Sequence, residues 1–420
     1  MDDATTRSRL AAPLAEADAT REAAALLGGD TFRRVADFIR DDHDRIVEDI
    51  VRITQIPSPP FGEAERGRAY AEMLRAHGLT EVETDAEGNV TGLRPGTDPA
   101  AGLVAVCSHL DTVFPAGTDV TVRREGTKLM APGVGDNSRS LAVLLAFVRA
   151  LDAAGVRTRA GLLITASVGE EGQGDLRGVK HLFRENRHRD AIAAFVAIDG
   201  LETARLVTGA VGSKRYRVAF RGPGGHSFGA FGLVNPAFAL ARAADGLSRI
   251  QVPAQPKTTY SIGRIGGGTS INAIPEEAWM EVDLRSESAA ELARLEEQFL
   301  AILPAAVADE NAARSTREGS ITVEAKPIGD RPAGTTAPDS RIARLAAAVI
   351  AARGFAPVLE ASSTDSNIPI SLGIPAVTVA SGCHGDRAHS LEEWIDVDPA
   401  VSAPGIATAL GVVMAVAGVA

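Results

Sequence analysis

Cysteine is close to absent from this chain: Cys107 and Cys383 are the only two in 420 residues. A disulfide framework and a four-cysteine zinc site are thereby excluded, and a reducing, cytoplasmic setting is expected. Positive charge is also in short supply. Lys and Arg number 43 against 54 Asp and Glu, a formal charge of −11. No global field therefore draws the chain to phosphate, and neither nucleic acid nor an anionic membrane is an expected partner. Long apolar runs are missing too, since Leu141–Val148 and Ala191–Ile198 fall well short of the ~20 residues that span a bilayer. The most apolar stretch, the C-terminal ATALGVVMAVAGVA, reads as a buried helix. The N-terminus opens acidic, with no basic segment leading into an apolar one, so a secretory signal is not expected. What is present is globular: 45% hydrophobic and 23% charged residues supply a sizeable core. At roughly 150 residues per domain, the length suggests two domains.

Periodicity divides the chain. Phe32, Val35, Phe38, Ile39, Ile46, Ile50 and Val51 predict one amphipathic helix over 31–54, after an Ala-rich N-terminal region (1–30) that forms an extra helix or frays. A second helix (64–77) and a hairpin (80–94) precede the apolar strand Leu103–Cys107. Helix 138–152, strand 161–168, helix 178–187 and strand 191–198 then alternate, which implies a largely parallel sheet covered on both faces. From residue 211 the order changes to strand, helix, two strands, helix, strand, the pattern of a small ferredoxin-like α+β unit inserted in the larger domain. Pro332-Ala333-Gly334 marks the return to α/β alternation. The expected fold is a three-layer α/β/α domain (1–210 and 328–420) interrupted by the insertion 211–327.

In open α/β sheets, ligands gather outside the carboxyl ends of the strands. There this chain places His109, Asp111, Asp136, Glu170, Glu171, Asp199 and His389. Unpaired acids at apolar strand ends would concentrate repulsion unless cations offset it. Imidazole with carboxylate suits Zn, Mn or Co, whereas an all-oxygen set would suit Mg or Ca. Seven groups are too many for one ion and enough for two that share a bridging carboxylate.

Five ordered segments, His109-Leu-Asp111-Thr-Val, Gly133-Val-Gly-Asp136-Asn, Glu170-Glu171-Gly, Asp199-Gly and His389-Ser-Leu-Glu-Glu-Trp, resemble the metal motifs of the M20 co-catalytic zinc metallopeptidases, most of all the peptidase T-like branch. The resemblance runs from about residue 35 to the C-terminus. It implies two divalent metals, zinc in the first instance: His109 and Asp199 on one, Glu171 and His389 on the other, and Asp136 bridging. It also implies Asp111 behind His109 and Glu170 as general base. The insertion would be a lid and dimerisation domain of a homodimer, with His226 of Gly224-Gly225-His226-Ser227 reaching the partner's site to stabilise an oxyanion. Asn272, Arg285, Thr364 and Gly382 would contact substrate, Arg285 either gripping a carboxylate or pairing with a neighbouring acid. The implied activity is amide-bond hydrolysis on short peptides by an aminopeptidase or di- or tripeptidase, since Asp rather than Glu stands at 199. An N-acyl-amino-acid amidohydrolase or carboxypeptidase is the alternative.

Two rivals come from other classes. Gly225-His-Ser227-Phe-Gly229 matches G-x-S-x-G, and Ser227, Asp365 and His389 fall in serine α/β-hydrolase order. The motif, however, follows an alternating strand rich in arginine, and this reading leaves the strand-end carboxylates unexplained. A non-catalytic binding protein on the same fold would have lost Glu170 or a ligand, and none is lost.

Overall fold

The computed structural model describes residue 7 and residues 9–420. The chain divides into two compact units, residues 1–210 with 335–420, and residues 211–334.

The first unit is built on a mixed sheet whose centre is four parallel strands in the order Gly161–Ser167, Leu103–His109, Ile192–Ile198 and Ala376–Val379. Antiparallel strands flank this centre: the hairpin Thr80–Thr84/Val90–Arg94 on one side, and Arg205–Ala210, with Val358–Ser362 beside it, on the other. Alternation along the buried strands sorts side chains to opposite faces. Val104 and Val106 pack with Leu162, Ile164 and Val196 into the larger core, under helices 30–54, 140–153 and 399–417. Ala105 and Cys107 pack with Leu163 and Phe195 into a second core, under helices 177–184 and 367–371. The terminal helix Pro399–Ala417 is the one helix among the described residues long and apolar enough to cross a membrane, and most of it is buried. The expectation of a core helix there holds.

The second unit is a four-stranded antiparallel sheet in the order Thr258–Gly267, Glu277–Ser286, Gly212–Arg221, Thr322–Arg331. Helices Pro236–Ser248 and Ala289–Ala313 cover one face through Leu240, Leu247, Leu295 and Phe299, as the ferredoxin-like pattern requires.

One local expectation needs correcting, and two details are added. Residues 31–54 form two helices, Asp30–Asp41 and His43–Thr54. They break at Asp42, whose carboxylate accepts a 2.7 Å hydrogen bond from the buried Arg149. Of the N-terminal region, Glu16–Gly28 is an ordered helix packed on Arg341–Ala352, while Met1–Thr6 and Ser8 lie outside the described residues. A small sheet of three-residue strands, His384–Asp386, Trp394–Asp396, Lys128–Met130 and Arg123–Glu125, was not foreseen. Strands that short carry no readable period.

Candidate metal centre

Parallel strands deliver their ends to one edge, and four acidic or imidazole positions at three strand ends follow from that alone. His109 closes its strand opposite Ser167. Glu170 and Glu171 follow Ser167 across a left-handed glycine, Gly169 at φ +66. Asp199 directly follows Ile198, and its amide N–H donates to the Val379 carbonyl. Asp111 turns the chain back under this edge. It is fully buried, and its carboxylate accepts the amide N–H of Glu170 at 3.0 Å and of Glu171 at 2.8 Å. Charge-assisted bonds of this kind contribute about 1.5–3 kcal/mol each. The ring Nδ1 of His109 lies 2.9 Å from the Asp111 backbone carbonyl and 3.6 Å from its carboxylate, so the carbonyl is the nearer acceptor.

Two further residues come from loops. Asp136 precedes helix 140–153 in a segment of irregular backbone, next to Asn137, whose side-chain amide donates to the Ile198 carbonyl. His389 stands in the turn between two strands of the small sheet with φ +64, a left-handed conformation that costs a non-glycine residue about 1–3 kcal/mol. The two loops meet at Asp136. Its Oδ1 is 3.0 Å from His109 Nε2, and its Oδ2 is 3.0 Å from His389 Nε2. Glu171 Oε1 is 2.9 Å from the same His389 nitrogen. Donor atoms of His109, Asp136 and Asp199 lie within 4.8 Å of one another, as do those of Asp136, Glu171 and His389, and those of His109, Glu170 and Glu171.

The electrostatics fit a cation site. Hydrogen bonding of its ring N–H to the Asp136 and Glu171 carboxylates pushes the His389 imidazole up to about pKa 10. Burial opposes the same shift at His109, but the Asp111 and Asp136 carboxylates still raise it well above the ordinary histidine value. Burial, reinforced by Asp136, lifts Asp199 to about 6. Acids and imidazoles thus lean on shared protons where divalent ions would serve, and a mixed nitrogen and oxygen donor set suits zinc, manganese or cobalt.

Residues 105–415 match the model of peptidase family M20/M25/M40. The chain belongs to this family. A Peptidase T-like protein, RB0614, of Rhizobium meliloti (strain 1021) is 42% identical over 62 residues, a match spanning 15% of either chain. Among solved structures, the aminopeptidase PepT from Bacillus cereus ATCC 10987 has the same fold at a TM-score of 0.70 and 21% identity, over 89% of this chain and 98% of that one. A tripeptidase (SAV1512) from Staphylococcus aureus subsp. aureus Mu50 does so at 0.71 and 20% identity, over 89% and 98%.

The other positions expected from the M20 resemblance are not among these donor groups. His226 is exposed in the second unit, where the amide N–H groups of Phe228 and Gly229 both donate to its Nδ1 at 3.2 Å. The neutral ring therefore carries its proton on Nε2, as a donor. Asn272 is exposed beside it, its carbonyl accepting the Ser227 N–H. Arg285 Nε donates to Asp283 at 2.7 Å, the ion-pair alternative. Thr364 is buried and bonded to Thr378, and Gly382 abuts Gly405 so closely that a Cβ would lie 2.4 Å from the Gly405 backbone. The serine-hydrolase rival loses its context: turns, not a helix, follow Ser227, and Asp365 is buried and bonded to Ser167 at 2.5 Å. One residue that carried no assigned role in the sequence is prominent here. Glu393 is 1% exposed and accepts three amide N–H groups of the Asp136 loop, whereas its neighbour Glu392 is exposed. No charge pattern distinguishes the two.

Proposed function

We propose that this M20 protein is a two-metal hydrolase that cleaves short peptides from their amino end. The observation that carries the reading is Asp136, whose two carboxylate oxygens face imidazoles from opposite sides. His109 and Asp199 would hold one divalent ion, Glu171 and His389 the second, with Asp136 common to both; zinc suits this donor set best, and cobalt or manganese can replace it. When bound, the ions supply Lewis acidity toward the amide carbonyl and make water a stronger acid. Glu170 takes the proton from the attacking water and returns it to the leaving amine, as general base and then acid. Asp111 holds Glu170 and Glu171 by their amides, so the general base and the ligand keep their separate places.

The second unit acts as lid and dimerisation domain of a homodimer, and His226 of the partner subunit donates from Nε2 to the developing oxyanion. Asn272 and Arg285 contact the substrate from the lid. Thr364 and Gly382 shape the loops behind it, the role their buried positions allow. Aspartate at position 199 favours peptides with a free amino group, in keeping with the aminopeptidase and tripeptidase that share the fold. Both cysteines are buried and free, which suits the cytoplasm.

Metal quantification on the purified protein, coupled to a screen of free and N-acylated di- and tripeptides, tests the reading. Two equivalents of metal and turnover only of substrates with a free α-amino group are expected. Turnover confined to N-acylated substrates would make it a deacylase, and activity that survives complete chelation would overturn the metal reading.

A further inference from the structure

The strand-borne donors inherit their places from the sheet. Asp136 and His389 do not, and a single buried side chain joins the segments that carry them. Glu393 Oε2 accepts the Gly133 N–H at 2.6 Å, and Oε1 accepts the N–H groups of Gly135 and Asp136, both at 2.8 Å. Four residues upstream of Glu393 lies His389, and the intervening turn is closed by the Glu393 N–H donating to the Ser390 carbonyl. On the other side, the Glu393 carbonyl accepts the Ala131 N–H, and Trp394–Asp396 pairs with Lys128–Met130. A carboxylate suits this cradle because two oxygens with several lone pairs can serve three donors, whereas the NH2 of an amide would face an N–H. Gly135 makes the approach possible: a Cβ there would stand 3.0 Å from Glu393 Oε1 and 3.0 Å from Ile395 Cγ2.

We infer that Glu393 is a positioning residue for the second metal: it welds the Asp136 loop to the His389 turn, and so sets the distance between two of that ion's three donors. The inference rests on the two-metal reading above. First-site donors His109 and Asp199 stand at strand ends and share only Asp136 with the loop and turn that Glu393 joins, so losing the Glu393 carboxylate loosens the second site more than the first.

The test is metal titration of the wild type and of Glu393→Gln, read as equivalents retained after dialysis and as the visible spectrum with Co(II), with thermal unfolding of both proteins in chelator as a stability control. Glu393→Gln is expected to keep the first equivalent and weaken the second by about 10- to 100-fold, as removal of outer groups around a metal site does. The Co(II) band of the second site should shift or vanish, and Glu393→Asp, which keeps a carboxylate, should recover part of the binding. A purely structural role would lower the unfolding temperature in chelator and leave both affinities intact, which overturns the inference. If Glu393→Gln does not fold, Gly135→Ala, which presses on the same carboxylate, decides by the same measurement. Wild type with fewer than two equivalents would instead strike the two-metal reading, so the two failures are distinguishable.

Discussion

The two halves of the centre are held by different physics. His109, Asp199, Glu170 and Glu171 leave the ends of parallel strands, and their backbones are tied into the sheet or to the buried Asp111. His109 is 2% exposed. Asp136 and His389 stand on loops, the His389 side chain is 55% exposed, and its backbone is left-handed. What a ladder of main-chain bonds does on one side, one carboxylate does on the other. The strand half is therefore rigid by default, whereas the loop half is rigid only while its clamps are intact. Residues strained in this way persist only where their surroundings fix them, and they cluster at functional sites.

The sharpest way to separate chemistry from positioning is Glu170→Gln. Glu170 belongs to the rigid half, and its amide remains held by Asp111 whatever its side chain, so both metals should stay. Turnover should fall by about 10²- to 10⁴-fold, the usual contribution of a general acid–base. Steady-state kinetics beside metal analysis checks this. An unchanged kcat removes Glu170 from the proton path, and a lost metal would place it among the ligands. A smaller effect is expected from Asp111→Asn. An amide presents one acceptor oxygen where the carboxylate presented two to the amides of Glu170 and Glu171. Metal affinity should fall by about 10- to 100-fold. The comparison predicts that the loss involves both ions, since Asp111 touches the chain beside both His109 and Glu171. A loss confined to one ion, as expected for Glu393, would erase the distinction between the halves.

Much of this was legible in the sequence, and the reason follows the same division. A strand buried on both faces announces itself as an apolar run, and the first polar residue beyond it must sit at the sheet edge, so His109, Glu170, Glu171 and Asp199 could be read directly. The inserted unit was readable because its strands alternate and its helices keep a 3.6-residue period. Asp136 and His389 could be assigned only to loops beyond strands, and the resemblance to M20 motifs supplies their roles, since no periodicity governs loops. Glu393 lies within such a motif with nothing to mark its task, because whether Glu392 or Glu393 turns inward depends on a three-residue strand too short to show alternation. The break at Asp42 was hidden for a similar reason: the apolar spacing continues across it, and the residue that pairs with Asp42 there, Arg149, is far along the chain.

The mildest test uses protons to count imidazoles in each half. Without metal, His389 is pushed up to about pKa 10 by Asp136 and Glu171, and His109 is held well above its ordinary value. Both shifts favour the protonated ring, and a metal must displace such a proton to use the ring nitrogen. Each proton displaced makes apparent affinity fall about tenfold for every unit the pH drops, so binding strengthens as pH rises toward the raised pKa values. Calorimetric titration of metal into the chelator-treated protein, in buffers of different ionisation enthalpy, measures the protons released. One proton per ion is expected in wild type, and His389→Asn should abolish the second release while preserving the first. Release of both protons with the first ion would mean that the strand and loop halves load as one unit, and the asymmetry argued from their backbones would not extend to metal binding.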